Sequence, residues 1–87
     1  MELHERLARV SDERTFLEFV EALRADRAAS DQEPNVSRGW QNDTIASFLE
    51  SACAWASDSD FGEGEGLSDS SPWKKFAVFL YAGKIYE

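Results

Sequence analysis

The side chains in this sequence that can do chemistry are few, and the densest group of them is a run of carboxylates. Asp58, Asp60, Glu63, Glu65 and Asp69 fall within residues 58–70, DSDFGEGEGLSDS. Oxygen donors at alternate positions open a calcium-binding loop, so Asp58 and Asp60 invite comparison with an EF-hand. Such a loop needs glycine at its sixth position for a sharp turn and a bidentate glutamate at its twelfth. Counted from Asp58, the fifth residue is Gly62, the sixth is Glu63 and the twelfth is Asp69. The segment reads as a solvated, glycine-spaced connector; weak cation binding is the most its carboxylates support, and no metal site is expected. His4, the only histidine, stands near the N-terminus with no partner in sequence reach. Cys53, the only cysteine, borders an apolar stripe, which suggests a buried structural thiol. No Cys–His or Ser–His–Asp grouping emerges by spacing, and no glycine loop between strand and helix is present to cradle phosphate. Neither a catalytic residue nor a cofactor is expected, and the reading is of a protein that is not an enzyme.

What remains is charge. The 87 residues hold 17 acids against 9 lysines and arginines, a net charge of -8. Between Gly39 and Trp73 stand Asp43, Glu50, Asp58, Asp60, Glu63, Glu65 and Asp69 with no lysine or arginine among them, and the rest of the chain is nearly balanced. A concentrated negative field repels nucleic acid and favours a basic partner, although solubility alone can also require it. These seven residues form the candidate binding face. Trp40 and Phe61 are its candidate anchors, because interface hot spots are typically desolvated aromatics.

Positioning those groups requires a fold, and 87 residues suffice for one domain with a modest core. Hydrophobic residues at 43% exclude the disordered class. A lone cysteine points to a reducing compartment, and the opening MELHERLARV lacks the apolar core of a signal peptide. The longest apolar run, residues 76–82, is far below the roughly 20 residues of a membrane span. A cytoplasmic protein with no membrane partner is expected.

Helical periodicity appears four times. Leu3, Leu7 and Val10 mark a short first helix over residues 2–10. Ser11 is the expected cap of a second, from residue 12 to about residue 28, with the stripe Phe16, Phe19, Val20 and Leu23. Residues 30–39 read as a turn, after which Trp40 is expected to fold back over the next helix as a staple. Asn42 or Asp43 is expected to cap that third helix, which runs to about residue 57. Its stripe is Ile45, Phe48, Leu49, Ala52, Trp55 and Ala56, with Ser51 facing away. The last helix opens at Ser71-Pro72, a cap followed by a first-turn proline, and Gly83 is its expected C-cap. Trp73, Phe76, Ala77 and Leu80 make its stripe, and Val78, Phe79 and Tyr81 leave it apolar nearly all round. A helix of that kind belongs at the centre of a bundle or against a partner. Trp55, Trp73 and Phe48 are expected to meet in one core, and Leu3 and Leu7 to cover Val78 and Phe79.

With both later helices in view, the chain resembles a family of short bacterial proteins known as domain of unknown function 7660. The resemblance rests on Trp40-x-Asn42-x-Thr44-Ile45-x-x-Phe48-Leu49-Glu50 with Ala54-Trp55. It extends to the closing Pro72-Trp73-x-x-Phe76-Ala77-x-x-Leu80-x-x-Gly83-Lys84-Ile85-Tyr86-Glu87. It implies a small helical protein of bacterial origin and carries no activity or catalytic residues with it.

The fold class read from the sequence is all-α: residues 1–87 as a single helical domain, a small bundle of three longer helices plus a short N-terminal one. The function read from it is a non-enzymatic protein–protein interaction module, immunity- or antitoxin-like in covering a basic protein. A structural or homo-oligomerising protein and a weak cation-binding protein are the alternatives. A monomer is expected ahead of a homodimer.

Overall fold

A computed structural model of the chain describes residues 2–32, 39–62 and 71–86. Glu63, Glu65 and Asp69 therefore lie outside the described residues. The described chain is all-α, with α1 (Leu3–Ala8), α2 (Glu13–Gln32), α3 (Ile45–Asp58) and α4 (Pro72–Ile85). Three longer helices and one short one thus form where apolar periodicity places them. The apolar closing helix is central: α1, α2 and α3 all pack on α4, while α2 and α3 make no direct helix contact. Phe19 is fully buried, and with Val10, Leu23 and Ala77 it forms the core. Burying a side chain of this size is worth on the order of 1.5–3 kcal/mol.

The caps differ in detail from expectation. Asp12, one residue after Ser11, caps α2: its Oδ1 accepts from the Thr15 backbone N–H at 2.9 Å and from the Thr15 hydroxyl at 2.8 Å. The Thr15 hydroxyl oxygen accepts in return from the Ser11 and Asp12 backbone N–H groups. Thr44, not Asn42 or Asp43, caps α3, accepting from Ser47 N at 3.0 Å. Ser71 and Pro72 open α4 as expected. Helix α2 also outruns its expected end by about one turn, because Arg27 and Asp31 pair at i,i+4 across what reads as turn chemistry.

Helix α3 ends without a glycine. Asp60 takes a left-handed conformation (φ 54°), and Phe61 N–H donates to the Ala56 carbonyl, the six-to-one bond of a Schellman cap. Ser59 buttresses the turn, donating to Trp55 O and accepting from Gly62 N. The result drives Phe61 into the fold. Its ring lies parallel to Phe79 at 5.5 Å and edge-on to Trp55 at 5.6 Å. Phe79 is thus stacked on Phe61, from the turn after α3.

Two further expectations are corrected by the same geometry. Trp73 and Phe48 both pack against the core around Phe19, but Trp55 does not join them: Trp55 sits with Phe61, while the rings of Trp73 and Phe48 pair with Phe16 at 5.4 Å and Trp40 at 6.2 Å. Phe76 lies off the core at 49% exposure, while Trp73 and Leu80 of the expected stripe pack against it together with Tyr81. Ser51 is buried and Cys53 exposed, the reverse of the expected assignment.

Gly83 is not a C-cap. It lies inside α4, which continues to Ile85, and a Cβ there would stand 2.7–2.9 Å from three ring atoms of Phe48. Gly83→Ala should destabilise the protein in urea titration, although alanine favours a helix interior by about 1 kcal/mol.

The Thr15 backbone N–H, then its hydroxyl, hold the Asp12 carboxyl below the usual aspartate range, with Arg14 adding to the effect. A depressed folded-state value means stability is present above the unfolded value and lost as pH falls through the folded one. The melting temperature of wild type should exceed that of Asp12→Ala at neutral pH. That difference should vanish as pH drops below the aspartate range, as followed by circular dichroism.

Candidate functional site

The most polar construction in the fold joins the end of α4 to α2 and to the segment before α3. Asp26 Oδ2 accepts from Lys84 Nζ at 2.7 Å and from the Trp40 indole N–H at 2.8 Å. The Lys84 side chain is 9% exposed and that of Asp26 24%. Lys84 Nζ also lies 5.5 Å from the Trp40 ring centre, and the Arg27 guanidinium lies 5.3 Å from it. Such cation–π contacts strengthen when the cation is desolvated.

Beside this pair, the main chain before α3 terminates α4. Gln41 N–H donates to Lys84 O, and the Asn42 amide donates to Gly83 O and Tyr86 O, both at 3.0 Å. The final carbonyls of a helix have no partner within it, so these bonds replace water that the packing excludes. Asn42, expected as a cap for the helix that follows it, instead caps the helix that ends the chain. At the other end of α4, Lys74 Nζ donates to Leu7 O, and burial pushes its ammonium down from the usual lysine range.

Trp40 and Phe48 also line an open cleft of about 420 Å³ between α2 and α3. Leu23, Arg24 and Arg27 form one wall, and Asp43, Ile45 and Leu49 form the other. Ile45 is 82% exposed and Leu49 50%. Both belong to the stripe that the sequence assigns to the core. Arg24 pairs with Glu21 and Arg27 with Asp31, each along α2.

Of the sequence-predicted face, Asp43, Glu50, Asp58 and Asp60 are exposed along α3 and the turn that ends it. A 14-residue helix spans about 20 Å, so Asp43 and Asp60 lie at opposite ends of the face. Asp58 accepts a hydrogen bond from the Tyr86 hydroxyl. The two proposed anchors are both engaged internally, Trp40 through Asp26 and Phe48, and Phe61 through Trp55 and Phe79. A shallow hollow of about 340 Å³ at Phe61 is lined by Asp60, Phe61, Pro72, Lys75 and the exposed Phe76. Sequence reasoning missed the Asp26–Lys84 pair, since 58 residues separate its members. The isolated lysine inside an apolar closing stretch was the signal available. Among the described residues, no group of three or more His, Cys, Asp or Glu side chains is placed to hold a metal ion. No helix among them is long and apolar enough to cross a membrane.

A charged pair this sheltered destabilises strongly when one partner is lost and weakly when both are replaced by apolar groups. Asp26→Leu, leaving Lys84 and the indole unpaired, should lower unfolding free energy by about 3–5 kcal/mol. Adding Lys84→Met should recover most of that loss, as measured by chemical denaturation of the single and double variants.

The family model described as "Family of unknown function (DUF7660)" matches residues 12–87, and the chain belongs to that family. Comparison with curated proteins and with solved structures finds no match. The match takes in all of α2, α3 and α4 and leaves only α1 outside it. Six of the residues that carry the resemblance stand at the junction: Trp40, Asn42, Phe48, Gly83, Lys84 and Tyr86.

Proposed function

We propose that this member of the family is a non-enzymatic module that binds a basic protein, acting as an immunity- or antitoxin-like cover for a cationic surface. The observation that carries this reading is the exposure of Glu50, Asp58 and Asp60 on and just after α3, in a stretch from Gly39 to Trp73 without one lysine or arginine. The described bases stand on α1, α2 and α4 or beside α1, and Lys84 is sequestered by Asp26. Lys75 stands at the edge of that face, in the hollow it shares with Asp60, and the negative face accelerates encounter with a positive one. Affinity needs an apolar contact as well, and the half-exposed Phe76 in its hollow beside Asp60 supplies one.

Testing the reading requires a purified partner. A stoichiometric binder captured on the immobilised chain would be purified and its association rate followed from about 0.05 to about 0.5 M salt, across which screening steepens. A basic partner is expected, whose association slows at least about tenfold over that range. Glu50→Gln, Asp58→Asn and Asp60→Asn together should slow it at low salt, with circular dichroism unchanged. An acidic partner, or an association rate indifferent to the triple variant, overturns the reading.

A further inference from the structure

The hollow at the end of α3 brings two aromatic rings and a carboxylate to one place. Phe76, 49% exposed, is the most exposed aromatic ring among the described residues. Phe61 meets it edge-on, with ring centres 6.4 Å apart and planes at 85°. Phe61 is itself stacked on Phe79 and edge-on to Trp55, which fixes its side of the corner. Asp60 adjoins them, exposed and in a left-handed conformation that the bond from Phe61 N–H to Ala56 O holds in place. Its carboxylate pairs with no cation and accepts no hydrogen bond among the described residues.

We infer that this hollow takes an arginine side chain of the basic partner, whose guanidinium lies on the exposed ring of Phe76 and forks onto the Asp60 carboxylate. The contact deepens the basic-partner reading and rests on it. A volume of about 340 Å³ has room for a whole arginine side chain. A leucine or phenylalanine placed there would take water from Asp60 and give no bond in return. A glutamate would set its charge against the same carboxylate. Among cations, arginine is the weakly hydrated one; its planar group stacks on aromatic faces and offers a carboxylate two parallel N–H donors. A lysine ammonium is a compact, strongly hydrated charge that does neither. Lys75 also lines the hollow, but it forms no ion pair with Asp60 and leaves that carboxylate to the partner. Its charge disfavours a second cation beside the first.

Blocked tripeptides test the contact before any partner is in hand. N-acetyl-Gly-Arg-Gly-amide, titrated into the isotope-labelled full chain, should shift the NMR signals of the Phe61 and Phe76 rings and of the Asp60 amide. Saturation is expected in the millimolar range, the scale of one ion pair with one cation–π contact. The matching lysine peptide should bind at least about threefold more weakly, and the leucine and glutamate peptides should leave these signals in place. Asp60→Asn keeps a residue that tolerates the left-handed turn, and Phe76→Leu keeps apolar volume without the ring. Each should weaken arginine binding at least about fivefold with circular dichroism unchanged, whereas Lys75→Gln should tighten it. Signals that stay in place with the arginine peptide overturn the inference, as does a leucine peptide that moves them as far. Arginine binding indifferent to Asp60→Asn or to Phe76→Leu overturns it too. With the purified partner, Phe76→Leu should speed dissociation about tenfold and leave the salt dependence of association as in wild type, since the ring carries no charge. A basic partner that dissociates no faster from Phe76→Leu rejects the arginine contact alone, whereas an acidic partner rejects the reading on which it rests.

Discussion

The contact between Lys84 and Asp26, with the Trp40 indole on the same carboxylate, is the constraint on which the rest of the arrangement depends. It ties together three parts of the chain: the end of α4, α2 at Asp26 and the segment entering α3. Burying a lysine and an aspartate carries a desolvation penalty of several kcal/mol per ion, so the pair is a poor source of net stability. Its effect is on geometry. Once Asp26 has accepted both donors, Trp40 is held against Phe48, and Phe48 can settle only on a helix that lacks a Cβ at residue 83. Lysine, glycine, tryptophan and asparagine therefore depend on one another at this junction, through charge, space and hydrogen bonds respectively.

Helix α4 serves two different neighbours through two different chemistries. Toward α2 it presents Trp73, Ala77, Leu80 and Tyr81 and packs by apolar burial around Phe19. Toward α3 it offers Gly83 to Phe48 and Phe79 to Phe61, and packs by aromatic stacking. The second contact depends on the turn after α3, where Asp60 and Phe61 both hold positive φ. Left-handed residues other than glycine cost roughly 1–2 kcal/mol each, and the ring stacked on Phe79 offsets part of that cost.

Much of the fold could be read from the sequence because helical periodicity is local. Four helices, the Ser71-Pro72 start, the core stripe of α2 and the central place of α4 follow from spacing within a single turn or two. What could not be read was non-local. Asn42 looks like a cap for the helix beside it, and only the return of α4 shows that it serves Gly83 and Tyr86. Gly83 looks like a helix end because glycine usually marks one, whereas here the demand is for space. The α3 stripe identified Ile45 and Leu49 as apolar but could not show that α2 stops short of them. The acidic positions were legible as charge and not as a surface, since their spread over about 20 Å appears only with the helix in place.

These misreadings share a physical origin that bears on what the molecule leaves outside. Periodicity counts apolar faces and assumes that each finds a partner within the chain. Here α4 satisfies α2 and α3 separately, so neither has to close on the other, and Trp40, held by Asp26, lies in the gap. Bringing Ile45 inward would require α2 and α3 to approach across that indole, at the loss of its hydrogen bond to Asp26 and its stack on Phe48. The cleft therefore stays open as a consequence of the junction that organises the fold.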